Sequence, residues 1–92
     1  MSETVWLVTA EVAMDGAFGF INVTLWASSS ENAVERVESY LHTYDWQLLS
    51  ISRVIEPDPE RDQGDELNQM LEETLANRQF IRLGTYHTYP RN

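Results

Sequence analysis

Two runs of alternating apolar and polar residues, separated by Asp15-Gly16, constrain the fold of this chain more than any other feature. In the first run, residues 4–14, one face carries only apolar side chains: Trp6, Val8, Ala10, Val12 and Met14. The second run, residues 18–27, repeats the pattern with Ile21, Val23, Leu25 and Ala27. Alternation with a period of two is typical of strands with one buried face. Asp-Gly favours a tight hairpin turn because both positions tolerate positive φ, so the segment predicts an antiparallel β-hairpin.

The rest of the chain alternates between helical and extended patterns. Ser28 and Glu31 have the spacing of a capping box, which predicts the start of a helix. Apolar residues then recur at helical spacing, and they do so again after Asp65, which predicts a second helix capped by that residue. After the hairpin, the predicted elements are a helix over 29–43, a strand over 46–56, a helix from Asp65 to near Asn77 and a strand over 79–86.

The predicted order is strand, strand, helix, strand, helix, strand, which favours an α+β domain. Helices that link strands favour a mixed sheet, and right-handed crossovers favour both helices on the same face. We therefore expect a two-layer sandwich in which two helices cover one face of a four-stranded mixed sheet. The ββαβαβ order resembles the ferredoxin-like group of small folds in general character, although the opening hairpin differs from the usual strand-helix-strand start of that group.

Length and composition indicate one small globular domain over residues 1–92. The 92 residues are 42% apolar and 23% charged, which is enough apolar material for one modest core. Cysteine is absent, which excludes disulfides, thiolate metal sites and cysteine nucleophiles. The apolar runs are too short for a membrane-spanning helix. The start, MSETVW, lacks the basic segment of a signal peptide, so we expect a cytoplasmic location.

Acidic residues dominate the charge of the chain. Fifteen Asp and Glu residues against six arginines and no lysine give a formal net charge of −9. Binding to nucleic acid or to an anionic membrane requires clustered basic residues, so neither partner is expected. The charge reflects either a bias of the source proteome or a negative surface for a basic partner. The second interpretation points to Glu31, Glu35 and Glu38, which form one ridge of the first predicted helix without basic partners at helical spacing.

Residues 57–64 contain two prolines, one glycine and alternating acidic residues, which predicts a flexible acidic loop. Alternating carboxylates are also found in calcium-binding loops. Counted from Asp58, however, the positions of the turn glycine and of the bidentate glutamate hold Gln63 and Gln69. We therefore expect no metal site in this loop. The final residues, 87–92, are expected to form a C-terminal tail.

The chain shows no paired arrangement of residues that is typical of catalysis. Neither His42 nor His87 has a nucleophile or a further metal ligand at a characteristic spacing. We therefore expect no enzyme activity and no cofactor. A small-molecule site between the sheet and Tyr86, His87 and Tyr89 is the remaining possibility of this class.

Apolar side chains on the second face of the predicted hairpin give the strongest indication of function. Val5 and Leu7 lie on this face of the first strand, and Phe20 and Trp26 lie on it in the second. An apolar patch on an open sheet face is typical of an interaction surface. The leading hypothesis is a non-enzymatic interaction or regulatory domain that self-associates through these residues and Tyr86. The alternatives are an acidic inhibitor or immunity-type protein that binds a basic partner through the glutamate ridge, and a small-molecule-binding domain.

Overall fold

The hairpin predicted from the two alternating runs forms the centre of the protein. The computed structural model describes residues 2–58 and 60–89. Its elements are β1 (Thr4–Met14), β2 (Ala17–Ala27), α1 (Ser30–Thr43), β3 (Gln47–Ile55), α2 (Asp65–Ala76), β4 (Arg82–Leu83) and β5 (His87–Thr88). The small α+β domain expected from the sequence is confirmed.

The turn between β1 and β2 contains only Asp15 and Gly16. Met14 pairs with Ala17 directly across the turn, and the pairing continues without interruption along both strands. Both turn residues have positive φ, 52° for Asp15 and 80° for Gly16. Positive φ at both positions is the signature of a type I′ turn, whose twist matches that of the flanking strands. The turn therefore fixes the register of the whole hairpin.

Among the described residues, every strand pairing is antiparallel, so the prediction of a mixed sheet is wrong. The strand order is β3-β1-β2-β4, and β5 pairs with β2 next to β4. β2 and β3 run in the same direction, but β1 lies between them. The single strand predicted over 79–86 is replaced by the two short strands β4 and β5. Between them, the amide of Gly84 donates to Asn22 O of β2 at 2.8 Å.

α1 covers the first face of the sheet, which carries the even-numbered side chains of β1. Its residues Ala33, Val37 and Leu41 are fully buried. They belong to one core cluster with strand residues that include Val8 and Val23. This face is the one that the alternating runs predict to be buried.

α2 lies on the opposite face, so the prediction of a two-layer sandwich with both helices on one face is wrong. The hydroxyl of Thr74 in α2 lies 2.8 Å from that of Thr24, whose side chain points away from α1. The crossover rule applies to parallel strands such as β2 and β3, whereas α2 joins the antiparallel strands β3 and β4. The position of α2 is set instead by apolar burial: Met70 in α2 and Leu7 on this sheet face are both fully buried.

Both helices begin one residue away from the predicted cap. In α1 the N-cap is Ser29 rather than Ser28, because the Ser29 hydroxyl accepts a hydrogen bond from the amide of Asn32 at 3.1 Å. The Asn32 side chain in turn accepts from the amide of Ser28 at 3.1 Å. In α2 the N-cap is Gly64, and Asp65 is the first helical residue. The negative charge of Asp65 interacts favourably with the positive end of the helix dipole.

The predicted flexible loop 57–64 and the predicted tail 87–92 are described in part, since Pro59 and residues 90–92 lie outside the described residues. Within the loop, two aspartate side chains accept hydrogen bonds from backbone amides two positions further along the chain. The first residues of the tail form β5. The flexibility of the loop stays a prediction.

Candidate functional site

The two faces of the sheet differ in how far they are covered. β1 and β2 have 11 residues each, so each spans about 36 Å. α2 has 12 residues and spans about 18 Å, which is half of that length. It covers the end of the second face near Thr24 and leaves the end near the hairpin turn open. On the first face, the turn end is closed by Trp46 and Tyr86, whose rings pack edge to face with centroids 4.9 Å apart.

Aromatic side chains occupy the open end of the second face. Phe18 is 55% exposed and Tyr89 is 45% exposed. Between them, the Phe20 ring stacks on His87 at 4.9 Å and lies 6.1 Å from the Tyr89 ring. The strand register explains the grouping, because Phe20 pairs with His87 and the amide of Tyr89 donates to Phe18 O at 2.8 Å. We call Phe18, Phe20, His87 and Tyr89 the aromatic surface.

The close approach of β5 to β2 depends on Gly19. A Cβ atom at this position would overlap the carbonyl oxygen of His87 and would lie 2.8 Å from the Tyr86 ring. Neither group is a flexible side-chain end, so any larger residue would displace β5. Gly19 is therefore required to bring His87 and Tyr89 beside the two phenylalanines.

The structure brings one of the five predicted contact residues into the aromatic surface, namely Phe20. Leu7 is fully buried, and Trp26 donates through Nε1 to a carbonyl oxygen of α2 at 2.6 Å. Val5 and Trp26 are half-buried and border α2. Tyr86 packs on the first face. Because α2 covers the second face at this end and Tyr86 lies on the first face, these four residues do not form an open patch.

Phe18 and Tyr89 are not among the predicted contact residues. Phe18 precedes Phe20 by two positions, so strict alternation along β2 places both rings on one face, and this signal was present in the sequence. Tyr89 follows β5, a strand too short to leave a periodic pattern. Tyr86 and His87 lie on opposite faces of the sheet, so the predicted cleft lined by Tyr86, His87 and Tyr89 together is not formed.

Charged groups of both signs lie beside the aromatic surface. Glu11 is in register with Phe20 in the β1–β2 pair. Arg53 of β3 is in register with Thr9, two residues from Glu11 on the same face. Within the described residues, neither Glu11 nor Arg53 forms an ion pair. The charges of Glu11 and Arg53 offset each other, whereas the whole chain has a net charge of −9.

The predicted acidic ridge of Glu31, Glu35 and Glu38 lies on the solvent side of α1, and all three residues are exposed. The nearby Arg36 does not neutralise the ridge, because it pairs with Glu3 at 3.0 Å. In the described part of the chain, no ion pair involves the ridge. Hydrogen bonds from its own backbone amide and from a neighbouring serine hydroxyl lower the pKa of Glu31.

The outer edge of the sheet is formed by β3, most of whose residues are exposed. Its pairing with β1 shifts register twice, between Thr9 and Ala10 and between Glu11 and Val12. Bulges of this kind twist an edge and make the addition of another strand less favourable. The edge of β3 is therefore a weaker candidate for an interaction than the aromatic surface.

Two grooves lie on either side of Trp26, which lines both. The α1 groove, with a volume of about 1110 Å³, separates α1 from residues 78–81 and is lined largely by polar side chains. The α2 groove, with a volume of about 660 Å³, lies between α2 and the loop that follows β3. Its apolar lining consists of Val5, Trp26, Pro57, Leu71 and Leu75.

The described residues show no arrangement for metal binding: among residues 2–58 and 60–89, no three His, Asp or Glu side chains converge on a possible ion site. The helices in these ranges are too short or too polar to cross a membrane. Comparison of the chain with protein families, with curated proteins and with solved structures finds no match. The function is therefore inferred from the geometry of the surfaces described above.

Proposed function

We propose that this protein is a non-enzymatic cytoplasmic interaction domain that self-associates through the aromatic surface. The observation that carries the proposal is the exposure of Phe18 and Tyr89 beside the Phe20–His87 stack. These residues lie at the turn end of the second sheet face, which no described helix covers. Aromatic side chains are enriched at protein interfaces because each removes a large rigid area from water. A second copy packed on the aromatic surface would cover the part of the second sheet face that α2 is too short to cover.

The distribution of charge favours a second copy over a basic partner at this surface. Most of the acidic residues lie on α1, on α2 and in the loop before α2, and of these Glu66 lies near His87 of the aromatic surface. Around the surface itself, Glu11 is offset by Arg53. In a two-fold dimer each contact occurs twice, so Glu11 of each copy can meet Arg53 of the other.

The acidic ridge supports a second candidate function, an acidic inhibitor of the immunity type. The supporting observation is that Glu31, Glu35 and Glu38 are exposed and have no ion pair within the described residues. A basic partner would be attracted by such a ridge and would dissociate at high salt. The two candidates use different faces of the molecule, so variants of each surface separate them.

Sedimentation velocity over about 1–500 µM protein tests the self-association. Phe18→Ser removes a phenylalanine ring of the aromatic surface that is 55% exposed, and Phe80→Ser is the matched control because Phe80 is 42% exposed at the α1 groove. We expect the wild-type chain to dimerise in this range. We expect Phe18→Ser to weaken dimerisation by about tenfold or more and Phe80→Ser to change it by less than about twofold.

A wild-type chain that remains monomeric at the highest concentration would overturn the proposal. Equal weakening by the two serine variants would also overturn it, because association would then not depend on the aromatic surface. Circular dichroism spectra of both variants show whether the fold is retained, as expected for exposed positions.

A further inference from the structure

The α2 groove combines an apolar lining with a concave shape of ligand size. Leu71 is almost fully buried at its base, whereas Leu75 is 52% exposed at its rim. Val5 and Trp26 contribute the sheet side of the groove, and Pro57 contributes the loop side. A volume of about 660 Å³ lies within the range of small-molecule sites.

The rim of the α2 groove is strongly acidic. Its described lining residues include four carboxylates, Glu56, Glu60, Asp62 and Glu72, against one guanidinium, that of Arg61. Glu56 and Asp62 accept hydrogen bonds from neighbouring protein groups. The side chains of Glu60 and Glu72 have no hydrogen bond or ion pair within the described residues. Two carboxylates are therefore available at the edge of an apolar groove.

The Trp26 ring, which lines the α2 groove, already contacts one positively charged group. The guanidinium of Arg78 lies over the Trp26 ring, 4.8 Å from its centroid. Arg78 lines the α1 groove and is not part of the lining of the α2 groove. The indole is held in place by its hydrogen bond to Thr74 O. A fixed indole with neighbouring carboxylates is the combination that binds organic cations by cation–π and charge attraction.

We propose that the α2 groove binds a small organic cation, in which a protonated amine is attached to an apolar, aromatic body. The ammonium group would lie on the Trp26 ring near Glu60 and Glu72, and the apolar body would lie against Leu71 and Leu75. This assignment goes beyond self-association, because none of these residues belongs to the aromatic surface.

Two-dimensional ¹H–¹⁵N NMR titration tests the proposal with three probes that share a naphthalene ring and differ in charge. The probes are 1-naphthylmethylamine, the neutral 1-naphthylmethanol and the anionic 1-naphthoate. We expect the amine to shift the Trp26 indole N–H and the amides around Leu75 with a Kd of about 1 mM or lower. We expect the alcohol to bind at least about fivefold more weakly than the amine and the naphthoate more weakly still.

Two double variants locate the source of the selectivity. Glu60→Gln/Glu72→Gln removes the two available carboxylates of the groove, and Glu35→Gln/Glu38→Gln removes the same net charge from α1. We expect the first to weaken amine binding by about fivefold and the second by less than about twofold. All four positions are exposed, so neither variant should unfold the protein.

Three results would overturn the proposal. The first is the absence of saturable chemical-shift changes of the protein when the amine is added up to about 10 mM. The second is equal affinity for the amine and the alcohol. The third is equal weakening by the two double variants, which would show attraction to the overall charge rather than binding in the groove.

Discussion

Two buried threonines join α2 to the second sheet face. The hydroxyls of Thr24 and Thr74 lie 2.8 Å apart, and neither residue is exposed. The Thr24 hydroxyl is also 3.4 Å from Met70 O, a longer contact. Each hydroxyl is therefore satisfied mainly by the other, in a region with no water access.

We expect Thr74→Val to lower the free energy of unfolding by about 1–3 kcal/mol, because it leaves the buried Thr24 hydroxyl with a poor partner. The double variant Thr24→Val/Thr74→Val should be no less stable than the single variant, since both polar groups are then removed. Urea unfolding followed by tryptophan fluorescence measures both values. Strictly additive losses in the double variant would contradict the coupling.

A single carboxylate links α2 to the chain between β4 and β5. Glu66 Oε1 accepts a hydrogen bond from the amide of Thr85 at 2.6 Å. This bond is the largest cause of the lowered pKa of Glu66, and the nearby positive charges of His87 and Arg82 contribute to it. Because the folded pKa of Glu66 lies below its unfolded pKa, the contact stabilises the protein at pH values above the unfolded pKa. The stabilisation is lost as the pH falls through the folded pKa.

We therefore expect the amide shift of Thr85 to titrate with a midpoint below the pKa of an unperturbed glutamate. The Glu66→Gln variant, which cannot ionise, should lose this titration. NMR spectra recorded between about pH 2 and 6 measure the midpoint. A midpoint at or above that of an unperturbed glutamate would show that the hydrogen bond to Thr85 does not hold the carboxylate in solution.

At the scale of secondary-structure elements, α2 is held by one narrow apolar stripe. Leu71 is 8% exposed, whereas Leu75, one helical turn later, is 52% exposed. We expect Leu71→Ala to lower the free energy of unfolding by about 2–5 kcal/mol through the cavity it leaves. Leu75→Ala should cost less than about 1 kcal/mol because its side chain is largely in water already. Thermal or urea unfolding of the two matched variants checks the difference, and similar losses would contradict the placement of α2.

The elements that were predictable are those with enough length to show a period. The hairpin and both helices follow from alternation and from helical spacing, and their bounds agree with the structure to within about two residues. β4 and β5 have two residues each, too few for a period, and they are defined by pairing with β2. The sheet face on which α2 packs was not predictable, because the crossover rule does not constrain a helix between antiparallel strands.

The same limits apply to the candidate site. Alternation identified Phe20 as a residue of the second face, and it also placed Val5, Leu7 and Trp26 there correctly. Exposure could not be read from alternation, because it depends on where α2 lies. Tyr89 could not be assigned without the pairing of β5. The face of a side chain is therefore a local property of the sequence, whereas its coverage is a property of the tertiary structure.

At the scale of the whole molecule, the net charge of −9 opposes any contact between two copies. Repulsion between like charges is screened by salt, whereas apolar burial is not weakened by it. We therefore expect self-association through the aromatic surface to tighten as NaCl rises from about 20 to 500 mM. Sedimentation velocity at both salt concentrations measures the change, and Phe18→Ser is the control. Weaker association at high salt would show that attraction between opposite charges outweighs apolar burial, and it would contradict an interface held mainly by the aromatic surface.

The two-residue turn at Asp15-Gly16 has a consequence for the order in which the chain folds. Closing so short a loop has a small entropic cost, so β1 and β2 can pair before distant segments arrive. β3 pairs with β1 but is separated from the hairpin in sequence by α1. β4 and β5 pair with β2 and are separated from it by a further strand, helix and loop. Strands that are far apart in sequence pair more slowly than strands that are joined by a short turn. The hairpin is thus the expected nucleus, and the edge that carries His87 and Tyr89 is the last part of the sheet to assemble.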